Sequence, residues 1–343
     1  MALTQAQFCN QKIMKSTMTY VAVFFFFTLS LWSCEKEISP NEPGALVPKT
    51  VDQDPSLPSI AVNGTQLHSE AFGNPADPMV VFLHGGPGSD YRNALNVNNL
   101  VKNNYYVVFY DQRGSGLSKR HSKDSYSIQL MLDDLTAIIQ HFRKSPSQKV
   151  FLFGHSWGAM LAAAYINQYP LAINGAILIE PGGFTWNEVE QYFKKSWKLK
   201  LCNESTNDAL YPDQFLTGKE DEHAILDYKL AISGSFTYAP NNEEGIEGPS
   251  PFWRSGAAVY KKLFQIAENE GFDFRQNLGR FTTKVLFLYS ENNRAYGEEF
   301  ARQEAGAFPN VQLSMVKGTG HEMIFFKWDN VYAFALPYLN SLR

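Results

Sequence analysis

Short apolar runs alternate with amphipathic stretches along most of the chain from Ser59 onward. Such runs, rich in Val, Ile, Phe and Tyr, are typical of β-strands. Eight strands are predicted near Ile60 to Val62, Gln66 to Phe72, Met79 to Leu83, Tyr105 to Tyr110, Lys149 to Phe153, Ala176 to Ile179, Val285 to Tyr289 and Val311 to Val316. Strands that alternate with helices favour a mainly parallel sheet covered by helices.

Apolar residues at helical spacing predict a helix before the fifth strand and another at the end of the chain. The two stripes are Ile128, Met131, Leu132, Leu135, Ile138, Ile139 and Phe142, and Trp328, Val331, Tyr332, Ala335, Leu336 and Leu339. Residues 181–283 break the alternation, with a helical stripe at Trp186, Val189, Phe193 and Trp197 and no convincing strand. We therefore predict a core of residues 59–180 and 284–343 and an inserted helical lid at 181–283.

The first 33 residues have the pattern of a processing segment. Two lysines precede an apolar run from Tyr20 to Trp32, which is too short to span a hydrocarbon core of about 30 Å comfortably. The run ends Leu31-Trp32-Ser33-Cys34, which resembles a bacterial lipoprotein cleavage box with Cys34 as the lipidated residue. An uncleaved membrane anchor and ordinary secretion are the alternatives.

The polar, proline-rich residues 34–58 are predicted to form a tether. A lipid-anchored chain of this kind would lie in the bacterial cell envelope, on the periplasmic or surface side of a membrane. The membrane is then a partner of the protein through its anchor.

Composition and charge exclude several classes of function. Thirty Lys and Arg residues against 34 Asp and Glu residues give a net charge of −4, so there is no electrostatic case for nucleic-acid binding. The three cysteines, Cys9, Cys34 and Cys202, cannot build a disulfide framework and lack the spacing of a zinc site. We expect no metal site.

The segment from Phe151 to Ala159 predicts a nucleophile elbow. An apolar strand runs into Gly154-His155-Ser156-Trp157-Gly158 and then into a stretch of small residues typical of a helix. The two glycines allow a sharp strand-to-helix turn, which would leave Ser156 exposed at the N-terminal end of the helix. Ser156 is therefore the candidate nucleophile.

Two more motifs follow apolar strands. His84-Gly85-Gly86-Pro87-Gly88 forms a loop whose backbone can approach a substrate closely, so the N–H groups of Gly86 and Trp157 are candidates for an oxyanion hole. In the second, residues 110–116, Asp111 and Arg113 are expected to bind each other and the neighbouring loops, which would brace the oxyanion turn.

HGGPG, DQRGSG and GHSWGA, in this order, resemble the α/β-hydrolase family of proline iminopeptidases and related serine hydrolases. The resemblance covers roughly Ser59 to Glu180 and Lys284 to the end. It implies an eight-stranded, mostly parallel sheet flanked by helices with an inserted helical lid, a serine nucleophile, and no metal or organic cofactor. The motifs say less about the bond that is cut.

The catalytic base should be a histidine on the loop after the last strand. Lys317-Gly318-Thr319-Gly320-His321 supplies it, and of the seven histidines only His321 follows a final strand through a glycine-rich loop.

The third member of the triad departs from the family pattern, because Asn293 stands where an Asp is expected after the seventh strand. Two carboxylates are available: Glu291 on the same loop, and Glu180 at the end of the sixth strand. Glu180 resembles the acid of pancreatic-type lipases and should emerge at the same sheet edge as Ser156 and His321. We favour Glu180, with Glu291 as the alternative and Asn293 as a hydrogen-bonding neighbour.

Specificity should come from the lid. In the iminopeptidases, acidic lid residues bind the substrate's N-terminal ammonium, commonly around a Trp-Glu pair that this chain lacks. Acidic residues are nevertheless plentiful there: Glu188, Glu190, Glu220, Asp221, Glu222, Glu243, Glu244 and Glu247. The expected function is a serine aminopeptidase of proline iminopeptidase type on short peptides. The alternatives are a lid-gated carboxylesterase and a non-catalytic, surface-binding lipoprotein with a degraded triad.

Overall fold

The computed structural model describes residues 46–196, 222–235 and 242–343 of the chain. Their eight strands are β1 Ser59–Val62, β2 Thr65–Phe72, β3 Met79–Leu83, β4 Tyr106–Tyr110, β5 Val150–His155, β6 Gly175–Ile179, β7 Val285–Ser290 and β8 Val311–Val316. They form one sheet in the order β1-β2-β4-β3-β5-β6-β7-β8. The first two strands are antiparallel to their neighbours and the others pair in parallel. The predicted sheet is confirmed.

The central strands are apolar along their whole length because both faces of the sheet are covered. All five residues of β3 and all five of β4 are buried. The α-helices of the described residues are α1 Ile128–Phe142, α2 Trp157–Gln168, α3 Trp186–Ser196, α4 Glu222–Ser235, α5 Ala257–Glu270, α6 Gly297–Ala305, α7 Met323–Phe326 and α8 Trp328–Ser341.

Alternate residues of the central strands enter two separate apolar clusters. On one face, Val81 and Leu152 pack with residues of α1, α2 and α6. On the other, Val80 and Phe151 pack with α8 and with a 3₁₀ helix at Arg92–Asn103. Because these strands are parallel, their carboxyl ends lie at one edge of the sheet. The functional sites of open α/β sheets are found at this edge.

Helices α3, α4 and α5 all belong to the insertion between β6 and β7. Of the residues described in this insertion, Thr185 forms an isolated bridge with Asp273, and the rest form no strand. Trp197 of the predicted stripe, with Glu220 and Asp221, lies outside the described residues.

Buried charges fasten the insertion to the core. Asp227 of α4 accepts hydrogen bonds from Arg120 Nε at 2.9 Å, Arg254 Nε at 2.7 Å and the backbone of Ala257 at 2.8 Å. Arg120 belongs to the loop after β4, so this one carboxylate joins two parts of the lid to the sheet.

The predicted tether is shorter than expected. Val51 is buried and its N–H donates to the carbonyl of Leu117, and the carbonyl of Pro48 accepts from Arg254 Nη1. The chain is therefore attached to the core here, through the carbonyl of the exposed Pro48 and through the buried Thr50 and Val51. The predicted signal peptide and Cys34 lie outside the described residues. Within the described ranges, no helix has both the length and the apolar character needed to cross a membrane.

Candidate active site

Ser156 occupies the sharp turn between β5 and α2. Its backbone has φ 54° and ψ −122°, a conformation that L-residues seldom adopt. A Cβ at Gly158 would lie 1.9 Å from the carbonyl oxygen of Leu83, and one at Gly154 would lie 2.4 Å from that of Gly158. Glycine at both positions is what lets β3, β5 and α2 approach so closely, and the half-buried Ser156 is left facing a cavity.

His321 follows β8 through a short loop and lines the same cavity as Ser156. Its Nδ1 lies 2.7 Å from Glu180 Oε2, its backbone N–H donates to the carbonyl of Glu244 at 2.9 Å, and its own carbonyl accepts from His155 Nε2 at 2.9 Å. Since a carboxylate accepts only, Nδ1 carries the proton of that bond. In the neutral imidazole, Nε2 is then the basic nitrogen.

Glu180 lies immediately after β6 and is completely buried. One carboxylate oxygen accepts from the Ser290 N–H at 2.7 Å and the Ser290 hydroxyl at 2.5 Å, and the other accepts from Asn293 Nδ2 at 2.9 Å in addition to His321. Burial disfavours the carboxylate, but the hydrogen bonds from His321 and Ser290 outweigh it and hold the pKa of Glu180 below its ordinary value. Glu180 is therefore an anion beside the histidine.

The other two candidate acid positions, Glu291 and Asn293, make different contacts. The carboxylate of the exposed Glu291 accepts from the backbone of Gly318 at 2.8 Å. Asn293 is buried between Glu180 and the backbone of Tyr296, whose N–H it accepts at 3.1 Å. Of these three residues, it is Glu180 that contacts His321.

The carboxylates around His321 also change its acidity. Burial opposes the charged imidazolium, but the hydrogen bond to Glu180 and the negative charge of Glu244 raise the pKa of His321 to about 9. By contrast, burial and the neighbouring His321 lower the pKa of His155. The neutral His155 can thus donate Nε2–H to the His321 carbonyl.

Gly86 and Trp157, the two candidates for an oxyanion hole, both line the cavity beside Ser156. Gln112 braces this region: its side chain donates to the carbonyl of His84 and accepts from Trp157 Nε1, while its backbone N–H donates to His84 Nε2. The bracing expected of residues 110–116 is thus found, but at Gln112.

The expected contact between Asp111 and Arg113 is wrong. Arg113 forms a bidentate pair with Asp134 of α1, whereas Asp111 accepts from His68 Nδ1 and from the backbone of Tyr91 and Leu117. The chain leaves the strand after Tyr110 and turns at Arg113, so the strand's alternation no longer applies and the two side chains meet different layers of the fold.

The cavity has a volume of about 300 Å³. One wall is apolar, and its side chains come from the core and from α3 and α5: Ile128, Met160, Trp186, Val189, Phe193, Tyr260, Leu263, Phe264 and Phe272. The lining also includes two carboxylates, Glu244 and Glu322. Tyr192 of α3 packs beside the His321 ring, and its hydroxyl donates to Glu244 Oε1 at 2.5 Å.

Tyr192 was not predicted as a site residue, and Glu244 was one acid among eight. The stripe at Trp186, Val189 and Phe193 indicates which face of α3 is apolar, and Tyr192 lies next to that stripe. No spacing in the sequence indicates that this face turns toward Ser156.

Comparison with known proteins agrees with this geometry. Residues 74–233 match a family model described as serine aminopeptidase, S33. The AB hydrolase superfamily protein YfhM of Bacillus subtilis strain 168 is 36% identical over 284 residues, which make up 82% of this chain and 97% of YfhM. The chain belongs to the α/β-hydrolase superfamily. This α/β-hydrolase also aligns with the proline iminopeptidase PfmaB of Pestalotiopsis fici, at 28% identity over 79% of this chain and 95% of PfmaB.

A solved structure gives the same fold for this α/β-hydrolase. The crystal structure of a proline iminopeptidase from Mycobacterium smegmatis superposes with a TM-score of 0.57, covering 83% of this chain and 97% of that one at 17% identity. The family places the protein among the hydrolases.

Proposed function

We propose that the protein is a serine hydrolase that works by acyl transfer and removes the N-terminal residue of short peptides. The observation that carries the proposal is the pairing of His321 Nδ1 with the buried Glu180 at 2.7 Å, beside the cavity that Ser156 lines. A nucleophile, a base and an orienting acid are the three parts of a triad.

In this mechanism, Ser156 Oγ attacks the carbonyl carbon while His321 Nε2 accepts the hydroxyl proton. The Gly86 and Trp157 N–H groups stabilise the oxyanion. The tetrahedral intermediate collapses as His321 protonates the leaving amine, which leaves an acyl-enzyme. Water then attacks the acyl group with His321 again as base, and His321 returns the proton to Ser156 Oγ as the free amino acid is released.

The two carboxylates of the cavity support peptides with a free N-terminus as the substrate class. Glu244 and Glu322 line the same cavity as His321, where an ammonium group next to the reacting carbonyl would find a negative charge. The apolar wall would take the side chain of the first residue. The matched family model and PfmaB carry aminopeptidase names, which favours the same substrate class.

A carboxylesterase is the second candidate, because the apolar wall between α3 and α5 would also take the acyl chain of an ester. The two activities differ in their need for an amine. The experiment that separates them compares kcat/KM for two substrates. One is an alanyl or prolyl anilide that has a free amine, and the other is the same compound acetylated at nitrogen.

The aminopeptidase should favour the free amine by about 10²-fold or more in kcat/KM, because a substrate without the amine leaves a desolvated carboxylate unpaired. Equal rates, or cleavage confined to esters, would exclude the aminopeptidase and leave the esterase.

Fluorophosphonate labelling tests the nucleophile itself. The wild-type protein should be labelled and Ser156→Ala should not, with folding of the variant verified by circular dichroism. A wild-type protein that resists labelling would favour a non-catalytic surface-binding lipoprotein instead.

A further inference from the structure

Glu244 is held against the base by its backbone and faces the cavity with its side chain. Its carbonyl oxygen accepts the His321 N–H at 2.9 Å, and its carboxylate accepts the Tyr192 hydroxyl at 2.5 Å. A Cβ at Gly320 would lie 1.9 Å from the carbonyl oxygen of Gly245, so the two loops touch. The carboxylate and the imidazole therefore keep a defined relation to each other.

Several titratable groups surround His321, and each comes from a different element. Glu180 lies at the end of β6, Glu244 on the lid loop, Glu322 next along the chain, His155 at the end of β5 and Tyr192 on α3. The ring centroids of His155 and Tyr192 lie 4.7 Å and 6.3 Å from that of His321.

The acids differ in how their charges are compensated. Glu180 is bound by His321 itself, whereas Glu244 receives the Tyr192 hydroxyl and Glu322 receives Asn93 Nδ2 at 2.8 Å. A hydroxyl and an amide are uncharged, so the negative charges of Glu244 and Glu322 act on His321. Their effect is to stabilise the imidazolium, which cannot accept a proton from Ser156.

We propose that Glu244 couples recognition of the substrate's ammonium group to deprotonation of His321, an inference that rests on the aminopeptidase activity proposed above. When the ammonium binds Glu244, the two charges compensate each other. His321 then releases its proton to solvent, and Nε2 becomes free to accept the proton of Ser156. Without a bound amine, the base stays protonated near neutral pH.

This coupling makes the amine a requirement for turnover as well as for binding. In an aminopeptidase, the ammonium belongs to the acyl part of the substrate, so it stays on Glu244 through acylation and deacylation. A neutral ester that fits the apolar wall would bind but would meet a protonated base. The preference for an amine should therefore show in kcat, and it should be largest at low pH.

The first test uses the wild-type protein with two substrates, alanyl p-nitroanilide and p-nitrophenyl butyrate. The pH dependence of kcat/KM reports ionisations of the free enzyme, and that of kcat reports those of the bound complex. For the anilide, the acid-side midpoint of kcat should lie below that of kcat/KM by about one pH unit, as expected for a nearby charge. For the ester, the two midpoints should coincide. Coincident midpoints for the anilide would overturn the coupling.

The second test removes the charge with Glu244→Gln. The acid-side midpoint for p-nitrophenyl butyrate should fall by about one pH unit, so that ester cleavage at neutral pH becomes faster while anilide binding weakens. Glu247→Gln is the matched control, since Glu247 is exposed on the same loop and should leave both profiles unchanged. An unchanged ester midpoint in folded Glu244→Gln protein would contradict the proposal.

The experiments distinguish a failure of the coupling from a failure of the proposed function. If fluorophosphonate labelling depends on Ser156 and the free amine is preferred, but the midpoints do not move, only the coupling is wrong. If the free amine is not preferred, the aminopeptidase assignment fails and the coupling fails with it.

Discussion

Glu180 adopts a strained backbone conformation at the position where its carboxylate meets His321. Its φ of 41° lies in the left-handed region that residues other than glycine seldom adopt. Such strain persists where the surroundings over-determine the conformation, and the bonds from Ser290, Asn293 and His321 supply that constraint. The strained backbone and the hydrogen bonds that hold it together fix the direction of the Glu180 carboxylate toward His321.

Glu180→Gln should lower kcat by about 10³ to 10⁴ with little change in fold, because an amide cannot stabilise the imidazolium as a carboxylate does. The measurement is steady-state hydrolysis of an activated ester, with unfolding followed in parallel. Glu291→Gln is the control, since its carboxylate binds the Gly318 backbone, and it should be nearly silent. The reverse pattern would assign the acid to the loop after β7.

The positions of Ser156, His321 and Glu180 were predictable because each directly follows or closely follows a recognisable strand. Carboxyl ends of parallel strands share one edge, so a reader of the sequence can bring these residues together. The same rule does not predict the positions of Tyr192 or Glu244. They lie in the insertion, where no ladder of strands fixes the path of the chain.

Glu304 of α6 is a buried carboxyl that is not part of the site. Burial and the negative charge of Glu188 raise the pKa of Glu304 to about 9. Because the folded state holds this proton more tightly than the unfolded state does, stability falls as pH rises from about 4.5 toward 9.

Glu304→Gln should therefore stabilise the protein increasingly with pH, since the amide stays neutral. The gain over wild type should grow by up to about 1.4 kcal/mol per pH unit within that window. Urea unfolding at several pH values measures it. Glu298 lies on the same helix but is exposed, so Glu298→Gln should show no such dependence of stability on pH. An equal dependence in both variants would refute the raised pKa of Glu304.

At the scale of elements, the eight strands were predictable to within one or two residues, whereas the 3₁₀ helix at Arg92–Asn103 was missed. Its sequence is rich in Asn, a residue that competes with helix formation by bonding to nearby backbone. Its buried residues, Ala94, Val97 and Leu100, recur every third position. That spacing is the period of a 3₁₀ helix, so a search limited to the α-helical period passes over it.

The insertion is attached to the core by ion pairs of two kinds. Asp227 is fully buried and pairs with Arg120 and Arg254, whereas Lys262 and the exposed Asp124 pair at 3.5 Å on the surface. Removing one partner of a buried pair leaves uncompensated charge in the interior, while an exposed pair contributes little.

Asp227→Asn should therefore destabilise the protein by about 3–5 kcal/mol. Hydrogen exchange should quicken first in α4 and α5, and KM should rise because α5 carries part of the cavity wall. Asp124→Asn should change stability by less than about 1 kcal/mol. Similar losses in both variants would show that burial does not decide the strength of this attachment.

At the scale of the whole molecule, the sequence overestimated the length of the tether. Five prolines within residues 40–58 suggested an extended linker, yet Thr50 and Val51 are buried. Proline content reports a lack of regular structure and carries no information on whether an irregular segment packs. The apolar Val51 is the residue that could have signalled it.

The shortened tether limits how far the protein can lie from a membrane to which it is anchored. We propose that Cys34 becomes the lipidated first residue of the mature protein, as the apolar run ending in Leu-Trp-Ser-Cys favours. Only residues 35–47 would then separate the lipid from Pro48, whose carbonyl binds Arg254 of the core-attached lid. At about 3.3–3.6 Å per residue, this stretch reaches at most roughly 45 Å, so the enzyme would work close to the membrane surface.

Cys34→Ser should release the protein from the membrane fraction, because the acyl groups on Cys34 are the proposed attachment, and mass spectrometry of the wild type should find acyl groups on Cys34. Activity on a soluble anilide should be unchanged in the variant, since Cys34 precedes every residue of the site. An unmodified N-terminus upstream of Cys34 in the membrane fraction would instead show that the apolar run is retained as an uncleaved anchor. Secretion without any membrane association would contradict both forms of attachment.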